Sequence, residues 1–397
     1  MDPYYENLYK KLNLEYYEIP IGDCFILNGK EKLGFGSSGD VYLGREIKTN
    51  NLVAIKLEQI NKETIFNEIE IYRNLEGVQR IPRLIWAGIQ GNYNILVMNL
   101  LGPSLKQLME KCGGKFSLAT TLKISTQILL TLRDIHSKGI VLRYLKPGNF
   151  VIGRDNFKDN IYLIDFGLAK KYIKQGLHIP FKQHSHFLGN PDYLSINAQS
   201  GGEISRRDDL ESLGYNLILF LKGELPWSKI KRRSKIISEK QNTSLDELCK
   251  DVPEEFKLFI NYARMLNFYD EPNYMYFYNL LIIVAEKNHF NLNNIEYDWV
   301  NIDKNKNNIQ NDINQKKEDE KIKNEIEGNE IKESLESKIN NIKIEDDKKV
   351  EDDKVIDNNE KENSEIKKNE TKDKIILEND NDNSNKINEN EIIIKKF

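Results

Sequence analysis

The sequence predicts an α+β protein in two lobes, and three observations carry that expectation. Strand-like runs crowd the chain ahead of residue 101, around a glycine-rich turn, with one helical pattern among them. The pair Gly102-Pro103 ends the last of these runs and marks a hinge. Beyond it a long helical pattern runs from Ser117 to Ser137.

With 397 residues, 39% hydrophobic and 30% charged, the chain suffices for one large domain or two ordinary ones. Residues 1–28 read as an N-terminal extension. Met1-Asp-Pro-Tyr-Tyr-Glu has no apolar core of signal-peptide length and no glycine at position two for a myristoyl group. No run approaches the roughly 18 apolar residues a membrane span needs. The three cysteines, Cys24, Cys112 and Cys249, are far apart and odd in number, which argues for a reducing compartment. His184 and His186 lack a further Cys or His pair at ligand spacing and read as loop histidines.

Residues 29–101 open with Lys32-Leu-Gly-Phe-Gly-Ser-Ser-Gly-Asp-Val-Tyr-Leu43, where Gly34, Gly36 and Gly39 form G-x-G-x-x-G. That spacing also marks dinucleotide-binding turns. A dinucleotide fold would open a helix at the glycines, whereas Asp40–Gly44 continues as strand, so the glycines sit at a hairpin. There the missing side chains let backbone amides approach phosphates. Asn51-Leu-Val-Ala-Ile-Lys56-Leu is a β-branched strand carrying a lysine, the V-A-I-K pattern. Thr64–Leu75 is helical, with Ile65, Ile69, Tyr72 and Leu75 on one face. Within it Glu68 is the best partner for Lys56, and Glu70 points about 200° away around the helix. Tyr93–Leu101 is a buried strand.

Residues 102–300 hold the Ser117–Ser137 helix, capped by Ser117. The loop Val141-Leu-Arg-Tyr-Leu-Lys-Pro-Gly-Asn-Phe150 follows, then a strand, Asn160–Ile164, leading into Asp165-Phe166-Gly167. Residues 301–397 form an acidic tail: 20 lysines face 27 acidic residues, net −7, against +3 for residues 1–300. With no proline and no aromatic residue before Phe397, this tail cannot bury enough apolar area to order itself, and it reads as disordered.

The glycine loop, Lys56, Glu68, the 142–150 loop and Asp165-Phe166-Gly167, in that order, resemble a protein kinase. Later segments narrow the resemblance to the casein kinase I family of Ser/Thr protein kinases: Leu168-Ala-Lys-Lys-Tyr172, His178-Ile-Pro180, Tyr193-Leu-Ser-Ile-Asn197, Ser205-Arg-Arg-Asp-Asp-Leu-Glu-Ser-Leu-Gly-Tyr215, Leu225-Pro-Trp227, Ile237-Ser-Glu-Lys240 and Tyr297-Asp-Trp299. It spans roughly Gly29 to Trp299. It implies a protein kinase-like fold with a five-stranded antiparallel N-lobe sheet, one main N-lobe helix and a mainly helical C-lobe. It also implies ATP beneath the glycine loop, with adenine against Asn99–Leu101 and Met98 at the back of the pocket. Leu33, Val41, Ala54, Val151 and Ile164 match the apolar lining. Lys56 with Glu68 matches the phosphate-holding pair, Asn149 and Asp165 the magnesium ligands, and Lys146 the neutraliser of the moving phosphate. Asp209 matches the aspartate that braces the catalytic loop from below.

The sequence departs from the family on the other side of the reaction. Leu142-Arg143-Tyr144 stands where the family has His-Arg-Asp, so Tyr144 replaces the base; a phenol is neutral at pH 7 and mostly donates its hydrogen bond. Gly148 replaces a second aspartate, Asp192 an anion-binding arginine, and Ser185 a basic residue; on the nucleotide side one residue departs, Gln107, which stands where the family has an aspartate towards the ribose. The resemblance thus points to a pseudokinase that holds Mg-ATP and acts through protein partners. Two alternatives stand beside it: a low-activity Ser/Thr kinase for acidic protein substrates, which include its own tail, and a nucleotide-free interaction module. The basic stretch Lys229–Lys235 reads as a solvated loop, with an acidic-partner site or nuclear signal as the other reading. No nucleic-acid or membrane partner is evident, and a monomer inside the cell, cytoplasmic or nuclear, is expected.

Overall fold

The computed structural model describes residues 15–304 except 37, 38 and 63, and short helical pieces between 314 and 338. Contacts divide the chain into two units, Met1–Asp312 and Ile313–Phe397. In the second, the described stretches 314–318 and 332–338 are helical and exposed. The expectation of a disordered tail otherwise lies outside the described residues, as does the reading of residues 1–14. No described helix is long and apolar enough to cross a membrane.

The first lobe is built on one antiparallel sheet of β1 (Glu18–Ile21), β2 (Phe25–Gly36), β3 (Gly39–Glu46), β4 (Leu52–Gln59), β5 (Leu84–Gln90) and β6 (Tyr93–Asn99). Their order is β1-β2-β3-β4-β6-β5. The sheet has six strands where the resemblance implies five. The addition is β1, which the sequence places in the N-terminal extension; it pairs antiparallel with the start of β2, from Glu18 opposite Asn28 to Ile21 opposite Phe25. Burial of Ile21 with Phe25 and Leu27 supplies the apolar reason for that pairing.

The β4 run is apolar on both faces because both are covered. Val53 and Ile55 face a small core with Ile95 and Val97, while Ala54 joins Leu96 and Met98 in the main core. A two-residue period divides the strand between these cores. The sheet curls until its two edges meet: Gln90 on β5 donates through Nε2 to Pro20 O at 2.8 Å, and its Oε1 accepts from Gly22 N at 2.9 Å. Helix α1 (Thr64–Asn74) buries Ile65, Glu68, Ile71 and Tyr72. Of the face read from the sequence, Ile65, Tyr72 and Leu75 are buried and Ile69 is half-buried.

The second lobe is mainly helical: α2 (Leu105–Lys111), α3 (Leu118–Ser137), α4 (Ile196–Gln199), α5 (Arg206–Lys222), α6 (Arg233–Asn242), α7 (Leu245–Leu248), α8 (Glu254–Met265) and α9 (Tyr274–Lys287). Ser117 caps α3 by accepting from Thr120 N at 3.2 Å. Helix α5 is buried almost throughout, from Asp208 to Phe220, and packs on α3 and α8. Trp299, 4% exposed, stacks on Tyr297 and meets Phe116 edge-on; beside it Asp298 accepts from Ser117 N at 2.6 Å. Three short ribbons complete the described part of the lobe. One pairs β7 (Ile140–Val141) with β10 (Lys170–Lys171), another pairs β8 (Phe150–Ile152) with β9 (Ile161–Leu163), and the third pairs Ile173–Lys174 with Leu177–His178.

Candidate active site

The cleft between the lobes is roofed by the β2–β3 hairpin, where Gly36 pairs with Gly39 and Gly34 with Val41. Gly39 has φ +119°, and a Cβ there would lie 2.3 Å from Leu57 O, so only glycine fits. Val41 lies opposite Lys56, and Ala54 opposite Met98. Leu33 is 45% exposed, and Leu101, Val151 and Ile164 are buried or half-buried along the cleft. At the hinge, Gly102 N donates to Ile152 O at 2.8 Å and Ile152 N to Pro103 O at 3.0 Å. A Cβ on Gly102 would meet Ile152 Cγ1 at 2.8 Å, so the close approach requires glycine. Asn99 spends its side-chain oxygen on Arg83 N, at 2.7 Å. Gln107 turns its Oε1 to Ser104 N at 2.8 Å and closes the capping box of α2.

Lys56 Nζ lies 2.6 Å from Glu68 Oε2 and 3.7 Å from Asp165 Oδ1. Burial alone would lower the Lys56 amine, but Glu68 and Asp165 outweigh it and hold the group above the ordinary lysine value. One residue that sequence reasoning passed over fixes this geometry. Glu58, two positions after Lys56 and so on the same face of β4, accepts from Ile65 N at 2.9 Å and from the Thr64 hydroxyl. Strand β4 therefore grips α1 at its first turn and again at Glu68. The other side of α1 meets the Asp165 segment. Asn67 donates to Ala169 O at 3.0 Å, Tyr72 packs edge-on to Phe166 at 4.9 Å, and Glu70, pointing away from Lys56, pairs with Lys171 at 2.7 Å.

The 141–150 loop hangs from helix α5. Asp209 accepts from Leu142 N at 2.7 Å and Arg143 N at 2.9 Å. Leu142 is buried in the core that holds Tyr72 and Phe166. Arg143, with φ +65°, donates to Leu168 O at 2.5 Å. Asn149 donates through Nδ2 to Tyr144 O at 3.1 Å, and its own carbonyl receives Ile164 N at 3.0 Å, which holds the strand leading to Asp165. Tyr144 Oη accepts from Lys146 Nζ at 3.0 Å, and the same ammonium lies 4.2 Å from the centroid of the Tyr144 ring.

The geometry therefore gathers Lys56, Glu68, Asp165, Asn149, Lys146 and Tyr144 at one cleft, beneath a glycine hairpin. A family model for the protein kinase domain matches residues 27–271. The chain belongs to the protein kinase family. Kinase domains use ATP with magnesium and act on protein substrates, and the curled antiparallel lobe and helical lobe described above are the two lobes of that domain.

Elsewhere in this kinase domain, the peptide bonds around Asp192 are held by other residues. Trp227 Nε1 donates to Asp192 O at 2.8 Å. The fully buried Lys240 donates to Pro191 O at 2.5 Å and Leu194 O at 2.6 Å. Burial raises the Asp192 carboxyl, with Lys240 pulling the other way. Gly148 is not in the left-handed region, and a Cβ there would meet only Lys146 Cε, at an ordinary 3.7 Å. The backbone thus leaves room for a side-chain Cβ at this position.

A second cluster escaped the sequence reading. Glu203, 3% exposed, receives Lys170 at 2.8 Å and His184 at 3.0 Å. Burial would raise its carboxyl; the hydrogen bonds from Lys170 and His184 and the Lys170 charge outweigh burial and lower it. Among the described residues no group of three or more His, Cys, Asp or Glu could hold a metal ion. The basic stretch 229–235 is exposed apart from a half-buried Ile230, and Lys229 pairs with Glu224 at 2.6 Å.

Proposed function

We propose that the chain is a casein-kinase-I-like kinase domain that binds Mg-ATP, transfers phosphate to external acceptors very slowly or not at all, and acts through the proteins it binds. The observation that carries this reading is the pairing of Tyr144 Oη with Lys146 Nζ at 3.0 Å. A phenol takes the place of the base and accepts a hydrogen bond from the lysine that would meet the moving phosphate. Losing a positioned base costs about 10²–10⁴ in rate. The nucleotide side carries no comparable loss, since Lys56, Glu68 and Asp165 already stand together.

Asn149 and Asp165 fit magnesium in chemistry. Hard oxygen ligands, one carboxylate and one amide, suit an ion that takes its remaining ligands from phosphates and water. Asn149 uses its Nδ2 on Tyr144 O, which leaves Oδ1 as the ligand atom. When bound, the ion would neutralise phosphate charge. Gly34, Gly36 and Gly39 would bring backbone amides to the phosphates. Leu33, Val41, Ala54, Met98, Leu101, Val151 and Ile164 would line the adenine pocket, with Asn99 at the hinge.

Thermal unfolding of the full chain with and without Mg-ATP tests the binding half. Ligand at 100 times its Kd should stabilise the fold by about 2.7 kcal/mol, and no shift would favour the nucleotide-free module. Incubation with labelled ATP and acidic protein substrates tests the other half. Turnover near the ~1–100 s⁻¹ of working kinases would replace this reading with that of an active Ser/Thr kinase. The docked α1 helix, with its Lys56–Glu68 pair already formed, is the observation that favours this second reading.

A further inference from the structure

Tyr144 does more than displace a carboxylate: we propose that its phenolic oxygen is itself a phosphoryl acceptor, modified once by the ATP bound in its own cleft. This rests on the reading of nucleotide binding above. In a kinase the acceptor hydroxyl is hydrogen-bonded to the catalytic-loop carboxylate. It therefore sits about 2.7 Å beyond that carboxylate. A tyrosine carries its oxygen further from the same Cα than an aspartate does, by the depth of its ring. By that reach its oxygen would take the position of a substrate serine's oxygen.

The surroundings hold it there. Lys146 Nζ, the group placed to neutralise the transferring phosphate, is 3.0 Å from Tyr144 Oη and 4.2 Å from the ring centroid. On the other side the ring lies against Gly189, where a Cβ would come 3.4 Å from Tyr144 Cδ2. The Tyr144 carbonyl is tied to Asn149 Nδ2 at 3.1 Å. Acceptor, lysine and candidate magnesium ligand thus belong to one braced loop, and Tyr144 stays half-buried at the cleft.

In the step, a bond forms between Pγ and the phenolic oxygen as the bond from Pγ to the β,γ-bridging oxygen breaks. ADP leaves, the phenolic proton passes to water, and O-phosphotyrosine remains beside the Lys146 ammonium. A loose transition state asks little of a base. A fixed acceptor also avoids the entropy of bringing a second molecule into line, an advantage that reaches 10⁵ M or more in effective concentration, roughly enough to offset the missing base. One turnover fills the acceptor position with a dianion and ends the reaction.

The test incubates the full chain, and separately Asp165→Asn, with Mg-ATP. Thermal unfolding is followed in the same samples, and phosphorylated residues are located by peptide mass mapping. The expected result is phosphotyrosine at 144 approaching one per chain, formed at a rate independent of protein concentration, and absent from Asp165→Asn. A thermal shift with Mg-ATP but no phosphate on Tyr144 overturns this inference and leaves nucleotide binding standing. No shift and no label overturns both. Label that persists in Asp165→Asn, or that grows with protein concentration, assigns the phosphate to another enzyme or to transfer between chains and also overturns it.

Discussion

Asp209 and His136 meet in the interior, with the imidazole Nε2 2.9 Å from the carboxylate and both side chains about 1% exposed. Tyr274 closes the other end at 2.7 Å from His136 Nδ1. Asp209 also carries the amides of Leu142 and Arg143, so one carboxylate joins helices α3 and α5 to the loop. Asp209→Ala strands these buried donors and should cost about 3–5 kcal/mol in urea unfolding of the full chain. Asp209→Asn, which keeps one acceptor oxygen, should cost less.

Lys56→Met should separate fold from ligand. It leaves Glu68, 1% exposed, buried without its ammonium, at a cost of about 3–5 kcal/mol. It should also abolish the stabilisation by Mg-ATP. A variant that kept the full ATP-dependent shift would remove Lys56 from the nucleotide site.

Tyr144→Asp should raise transfer to acidic peptides by about 10²–10⁴ over the natural chain, the worth of a positioned base. The readout is initial rate with labelled ATP. The double variant with Gly148→Asp should fold normally, because a Cβ at 148 makes only an ordinary contact. If neither variant gains activity, the limit lies in the segment around Asp192 instead.

Lys240 should make stability depend on pH. Burial pushes its ammonium from 10.5 down to about 7, Arg264 adds to the effect, and Glu211 and Asp192 oppose it. From about pH 7 to about 10.5 the unfolded chain holds a proton that the folded chain has released, so this residue's contribution to stability rises with pH across that window. Below it the cost of burying the charge is present in full. Lys240→Met should flatten that part of the curve, and an unchanged slope would show that the lysine stays charged in the fold, held by Pro191 O and Leu194 O.

The residues legible in the sequence are those whose chemistry fixes both type and short spacing. Gly39 needs its φ, Lys56 sits on a strand with an unmistakable pattern, and Asp165 follows a short apolar run. Glu58, Glu203 and Gln90 were not legible, because each takes its meaning from partners on other elements. Glu58 reads as one more polar residue on a strand until helix α1 lies against it. Strand β1 was missed for a different reason: it has four residues, one of them Pro20, and proline argues against a strand except at a sheet edge. An edge is where β1 lies. Tyr144 was conspicuous as a departure, but its bond to Lys146 depends on the turn of the loop and appears only in three dimensions.

The bridge made by Gln90 bears on how the chain behaves among its own copies. An open sheet offers two rows of unpaired amides and carbonyls to any neighbouring strand, a common start for aggregation. Here one side chain spans from one border strand to the other, at Pro20 and Gly22, and draws both borders against each other. The two borders are thus fastened at one point by a side chain and not by a ladder, so Gln90→Ala would leave both of them open.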